Sequence, residues 1–233
     1  MARSLRAVSF GESVIDQYPD RRVVAGSPVH LAAQLVALGW HADLVTRVGD
    51  DTDGRSILDV LDRCGVGRSL VEVDGSLPTG AVTITLHDGD HSFLIHGPAA
   101  WDELHGPDEL PAHEALCYGS LAGRSEVGRA ALGRVLERSA ARLKVFDVNL
   151  RPPDVLRPAI ELGLEHAAVM KVSEAELGSL AELIGIPSSP GAFFETAARL
   201  EWLAVSRGAA GARLYGRGGA GVERAARPVD VVD

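Results

Sequence analysis

"ALCYGSLAGRSEVGRAALGRVLERSAARLKVFDVNLRPP" (residues 115–153) decides the architecture. It opens on a short apolar run, "ALCYGS", continues through "SEVGRAALGRVLERSAARL" with helical spacing, and returns to a second apolar run, "KVFDV". Strands that are apolar almost throughout, joined by a helix-length crossover, read as parallel neighbours buried on both faces. The same alternation extends both ways. Upstream stand "RAVSF" (strand), "SPVHLAAQLVALG" (helix, with Leu31, Leu35 and Leu38 on one side), "ADLVTRVG" (strand) and "DGRSILDVLDRCGV" (helix, with Ile57, Leu58 and Leu61 inward). Downstream stand "PAIELGLEHA" (helix), "AVMKV" (strand), "SEAELGSLAELIG" (helix) and "WLAVS" (strand). The expectation is an α/β fold, a mostly parallel sheet with helices on both faces.

One interlude breaks the rhythm. "GAVTITLHDGDHSFLIHG" (residues 80–97) places two β-rich runs around Asp88-Gly89, a hairpin signal. Together with "SVIDQYPDRRVV" (residues 13–24) it predicts a small antiparallel sheet set apart from the main one, either a lid or a surface hairpin.

Composition narrows the function. With 23 basic against 32 acidic residues, the formal net charge is −9, which argues against nucleic acid or an anionic membrane as partner. Small anions remain compatible, because backbone amides at a helix start can hold a phosphate. No stretch reaches the length of a membrane span, and "MARSLRAVSFGES" is too short in apolar residues for a signal peptide. The two cysteines, Cys64 and Cys117, each sit in apolar surroundings and read as reduced core thiols of a cytoplasmic protein.

Ligands of open α/β sheets bind outside the carboxyl ends of strands. "KVFDVNLRPP" changes there from apolar to Asp147, Asn149 and Arg151, three hydrogen-bonding groups beyond what packing requires. "GESVIDQYP" places Glu12 and Asp16 in one loop after the first strand; an aspartate facing a crevice there could take two hydroxyls of a sugar. In "AGSPVH", Ser27 reads as an N-cap and Pro28 as N1, while Gly26 allows a ligand close to the backbone. "KVSEAEL" holds Ser173-x-x-Glu176, a capping box sufficient in itself. "VSRGAAGARLYG" turns through Ser206, Gly208 and Gly211, as a hairpin or a nucleotide-contacting loop. "GRGGAG" (residues 216–221) matches a dinucleotide fingerprint literally, but strand-like sequence follows it, so it reads as a hairpin tip. His87, His91 and His96 lack metal-ligand spacing and read as solvated residues.

In their order, "VSFGESVIDQYP", "AGSPVHLAAQLVALGWHADLVTRVGDDTDGRSILDVLDRCGV", "PTGAVTITLHDGDHSF", "YGSLAG", "FDVNLRPP", "KVSEAEL" and "VSRGAAGARLY" cover nearly the whole chain. In these stretches it resembles the ribokinase-like (PfkB) carbohydrate kinases, most of all the fructokinase and ketodeoxygluconate kinase branch. The resemblance implies one ribokinase-like domain over residues 1–233, with lid strands near 13–24 and 80–97. It implies transfer of the ATP γ-phosphate to a hydroxymethyl group of a small sugar of the fructose, ketodeoxygluconate or ribose type. On that basis Asp16, Gly26, Ser27 and His30 face the sugar, and Asn149 and Arg151 lie near the sugar and the transferring phosphate. Glu176 helps to place Mg²⁺ through water, Ser206, Gly208 and Gly211 lie along the nucleotide, and Asp233 adjoins a monovalent cation such as K⁺. Exposed lid edges would also allow a homodimer.

Three departures bear on that implication. The family usually has Asn at the positions of His30 and Ser173. It also continues a run like "VVD" into Asp-Thr-x-Gly-Ala-Gly-Asp, whereas this sequence ends at Asp233. The expected catalytic base and phosphate-binding turn then lie beyond Asp233, and the expectation is that these residues alone are inactive. A catalytically silent sugar-binding or regulatory protein on the same fold and a nucleoside kinase are the competing readings. A nicotinamide-dependent enzyme would rest on "GRGGAG" alone.

Overall fold

In the computed structural model the apolar runs are strands and the amphipathic segments are helices. Residues 5–87, 90–154 and 156–227 are described; of residues 86, 87, 90 and 91 only the backbone is. The strands are β1 (Arg6–Phe10), β2 (Val14–Gln17), β3 (Arg22–Ala25), β4 (His41–Gly49), β5 (Val71–Asp74), β6 (Gly80–His87), β7 (Asp90–Ile95), β8 (Ala115–Gly119), β9 (Leu143–Asp147), β10 (Val169–Ser173), β11 (Trp202–Ser206), β12 (Ala212–Gly216) and β13 (Gly221–Arg224). The helices are α1 (Ser27–Ala37), α2 (Thr52–Cys64), α3 (Glu126–Arg138), α4 (Arg157–His166), α5 (Glu174–Ile184) and α6 (Pro190–Thr196).

The main sheet has nine strands in the order β13-β12-β11-β10-β9-β8-β1-β4-β5. It is parallel from β5 to β11, and β12 and β13 add an antiparallel edge. The chain leaves β1 on one side through α1 to β4 and later returns on the other side as β8. The strand order therefore reverses at β1/β8, the switch point where ligands of such sheets bind. Successive side chains of β4 go to opposite faces: Leu44 packs with Val29, Ile57 and Leu61, and Val45 joins Phe10, Leu132 and Phe146. Helices cover both faces.

Several local expectations need correction. The cap of α1 is Gly26, at φ 117°, rather than Ser27. A Cβ on Gly26 would stand 2.5 Å from the Glu12 carbonyl oxygen, so the position excludes side chains, and the Ser27 hydroxyl points elsewhere. The fully buried residues of α1 are Pro28, Val29 and Ala32; of the Leu31–Leu35–Leu38 stripe, Leu35 packs against the core only partly buried. The helix ends at Ala37, and Leu38, in the turn after it, is 76% exposed. α3 stops at Arg138, because Ser139 turns extended and its hydroxyl binds the Ala141 amide and the His113 ring. Cys117 is buried as expected, but Cys64, the last residue of α2, is exposed.

A second sheet, ordered β3-β2-β6-β7, stands apart from the first. β2·β3 and β6·β7 are antiparallel, but β2 and β6 run parallel, so this sheet is mixed. Asp16 lies on β2, not in a loop. The tip at Asp88-Gly89 and the side chains of His87 and His91 lie outside the described residues; His96 is exposed with Nε2 2.8 Å from Thr83 Oγ1. Asp51 ties the sheet to the body: it caps α2 through the Gly54 amide (2.7 Å) and accepts from the Thr79 amide (2.8 Å) and hydroxyl (2.7 Å). Residues 216–221 form the β12–β13 turn, a hairpin tip as expected. Among the described residues no helix is long and apolar enough to cross a membrane.

Candidate active site

A cavity of about 460 Å³ opens where the small sheet meets the carboxyl ends of β1, β8 and β9. Val14, Ala25, Val82, Phe93 and Ile95 of the small sheet, with Leu121, supply apolar wall. Glu12, Asp16, Ser27, His30, Gln34, Asp147, Asn149 and Arg151 supply polar groups. An apolar wall into which polar groups converge is the usual make-up of a small-molecule site. The sequence-predicted substrate residues Asp16, Gly26, Ser27, His30, Asn149 and Arg151 all line this one cavity.

They arrive on three elements: β2, the start of α1 and the turn after β9. Asp16 projects from β2, where burial raises its carboxyl above the ordinary range while His30 and Arg151 work against that rise. The start of α1 brings Gly26 and Ser27, and the Ser27 hydroxyl donates to Asp147 Oδ2 at 2.8 Å. Lys171 Nζ of β10 lies 3.0 Å from Asp147 Oδ1, an ion pair off the hydrogen-bonding direction. Asn149 takes φ 44°, a left-handed conformation that asparagine tolerates better than most residues. That turn carries the chain out of β9 towards Arg151, whose guanidinium lies 5.2 Å from the Phe93 ring centroid. The strand end and the small sheet thus meet through a cation–π contact.

Glu12 had only a loop position to recommend it in the sequence, and its burial was not legible there. It is 2% exposed, and among the described residues its Oε2 has no hydrogen-bond partner. Burial pushes its carboxyl up to about 7; its own amide and that of Ser27 oppose the shift, the Asp147 charge adds to it, and Arg151 opposes it. Gln34 and Phe93 also line the cavity and carried no sequence signal beyond helix and strand periodicity.

The remaining predicted residues lie outside this cavity. Ser173 caps α5, and Glu176 completes the capping box by accepting from the Ser173 amide (2.8 Å) and hydroxyl (2.6 Å). Its other oxygen accepts from the Leu150 amide at 2.7 Å, which anchors the turn that carries Asn149 and Arg151. Burial acts to raise the Glu176 carboxyl, but these donors hold it below the usual carboxylate range. With three donors already in place, Glu176 suits a Mg²⁺ reached through water better than direct ligation. Ser206 ends β11, and Gly208 and Gly211 form the turn into β12. A Cβ on Gly211 would lie 2.0 Å from the Arg224 carbonyl oxygen, so β13 alone explains that glycine; Gly208 faces open space. Asp233 lies outside the described residues.

Comparison with known proteins agrees with this architecture. A fructokinase with bound ATP from Xylella fastidiosa superposes with TM-score 0.87 at 24% identity, covering 98% of this chain and 76% of that one. The aminoimidazole riboside kinase of Salmonella enterica, complexed with aminoimidazole riboside and an ATP analogue, gives 0.81 at 24%, over 98% and 79%. Among curated sequences, fructokinase-1 of Zea mays is 32% identical over 197 residues, 73% of this chain and 60% of that protein. Probable fructokinase-3 of Arabidopsis thaliana is 30% identical over 200 residues, 75% of this chain and 58% of that protein. The chain spans about 58–60% of the length of these two relatives. The description "pfkB family carbohydrate kinase" matches residues 6–233, and the chain belongs to that family.

Proposed function

We propose that the chain forms the acceptor-binding body of an ATP-dependent kinase that phosphorylates a hydroxymethyl group of a small sugar. The observation that carries this is the single cavity into which Asp16 from β2, Ser27 and His30 from α1, and Asn149 and Arg151 from the turn after β9 converge. Asp16 accepts from sugar hydroxyls, and the Gly26–Ser27 backbone lets the ring approach α1 closely. Asn149 orients the acceptor, and Arg151 offsets charge on the transferring phosphoryl group. Phosphoryl transfer depends mainly on positioning and charge stabilisation, so such groups account for much of the rate.

Mg²⁺, when bound, neutralises phosphate charge; Glu176 would hold its water shell, and Ser206, Gly208 and Gly211 would lie beside the nucleotide. A potassium-bound fructokinase of Vibrio cholerae, complexed with fructose and ADP, supports K⁺ as a further cofactor. We also propose that turnover requires a general base supplied from outside residues 1–233, so that these residues alone bind sugar without phosphorylating it.

The test is ADP release by the full-length gene product with fructose, ketodeoxygluconate, ribose and adenosine in turn. Release that depends on one of the three sugars supports the proposal. A preference for adenosine would make the protein a nucleoside kinase, and sugar binding without ADP release would make it a silent binding protein.

A further inference from the structure

We infer that Glu12 is a substrate-binding residue that acts as a neutral carboxylic acid, donating its proton in a hydrogen bond to an oxygen of the sugar. The inference rests on the sugar-site reading above and names a residue role within it.

Three observations carry it. Glu12 lines the cavity while 2% exposed, so what its carboxyl can meet is the protein interior and the occupant of the cavity. Its Oε2 has no partner among the described residues and is closed off from solvent, so a charge there would go uncompensated and the neutral acid is the favoured form. Asp147 stands beside it, already engaged by Ser27 and Lys171. Two adjoining carboxyl groups share one negative charge more readily than two.

The ionisable groups around Glu12 are Asp16 on β2, His30 on α1, Asp147 and Arg151 at the end of β9, and Lys171 on β10 behind Asp147. Among them Asp147 favours the neutral form of Glu12 and Arg151 the charged form, and burial outweighs both, with the carboxyl raised to about 7. A carboxylic acid donates one hydrogen bond and still accepts another, so it matches a sugar hydroxyl or keto oxygen, whereas a carboxylate accepts only. Filling the cavity removes water and favours the neutral acid further.

The test is calorimetric binding of fructose to the full-length protein between about pH 6 and about pH 9, with the other sugars of the panel if fructose does not bind. Affinity should fall about tenfold per pH unit once Glu12 begins to ionise, and binding should take up protons from the buffer. Glu12→Gln keeps a neutral donor in the same place: it should bind within about threefold of the wild type at low pH and lose the pH dependence. Glu12→Ala should bind about tenfold more weakly at low pH. His30→Gln should keep the pH dependence, which separates the carboxyl from the imidazole. Thermal unfolding confirms that each variant is folded.

Affinity that is flat with pH, or a Gln variant that loses binding at every pH, would overturn the role of Glu12 and leave the sugar site standing. Failure of every sugar to bind the wild type at any pH would overturn the site reading, and this inference with it.

Discussion

The Ser27 hydroxyl donates to Asp147 Oδ2 at 2.8 Å, joining the first residue of α1 to the last residue of β9 across 120 positions of sequence. The bond bridges the two sides of the sheet's switch point, and the cavity lies beside it. Ser27→Ala removes a donor from a part-buried carboxylate and should cost about 1–2 kcal/mol of stability. Thermal unfolding measures this. Sugar affinity should fall as well, because α1 then starts less firmly against β9; an unchanged melting temperature would mean the bond is not made.

Glu12 and Glu176 should give stability opposite dependences on pH. Glu12 is raised from 4.5 to about 7, so its contribution is full below about 4.5 and is lost as pH rises through about 7. For a fully buried group that shift is worth about 3 kcal/mol. Glu12→Gln should therefore be more stable than the wild type at about pH 8 and close to it at about pH 5. Denaturant unfolding at the two pH values decides.

Glu176 is depressed, so its contribution is present above the ordinary glutamate range and is lost as pH falls through its lower folded value. Glu176→Gln should cost about 1 kcal/mol near neutrality, as loss of a cap does. It should also lower turnover, since the Leu150 amide it holds sets the turn that carries Arg151. If only the melting temperature moves, Glu176 is a cap and nothing more.

The layered fold was legible because the strands between helices are short, largely apolar runs, and that pattern survives any detail of packing. The gathering of Asp16, Ser27, Asn149 and Arg151 was legible from polar residues at strand and helix ends together with family resemblance. What escaped notice depended on tertiary contacts. "GSP" reads as a cap at Ser27, yet the approach of Glu12 to Gly26 shifts the cap by one residue and frees the Ser27 hydroxyl for Asp147. The buried side of α1 departs from its leucine stripe because Ala32, small enough to sit close against the sheet, counts little in a hydrophobic pattern. Nothing local to "GES" distinguishes a solvated Glu12 from one buried at the floor of a cavity.

The two turn glycines should separate structure from nucleotide contact. Gly211→Ala adds a Cβ 2.0 Å from the Arg224 carbonyl oxygen at φ 93° and should destabilise the protein by more than about 1 kcal/mol. Gly208→Ala meets nothing within 4 Å and carries only the strain of φ 52°, about 1 kcal/mol. If Gly208 approaches the nucleotide, the alanine should weaken ATP binding beyond that modest loss, as measured by fluorescent-nucleotide displacement. ATP affinity equal to that of the wild type would remove the turn from the nucleotide site.

The most direct measurement is the affinity of the preferred sugar for the wild type and for Asp16→Ala, taken alongside their melting temperatures. The account predicts a loss of about tenfold or more in sugar affinity, because one carboxylate can accept from two hydroxyls, with the melting temperature unchanged or raised. Equal affinities would contradict it and move the sugar site away from the cavity between the small sheet and the strand ends.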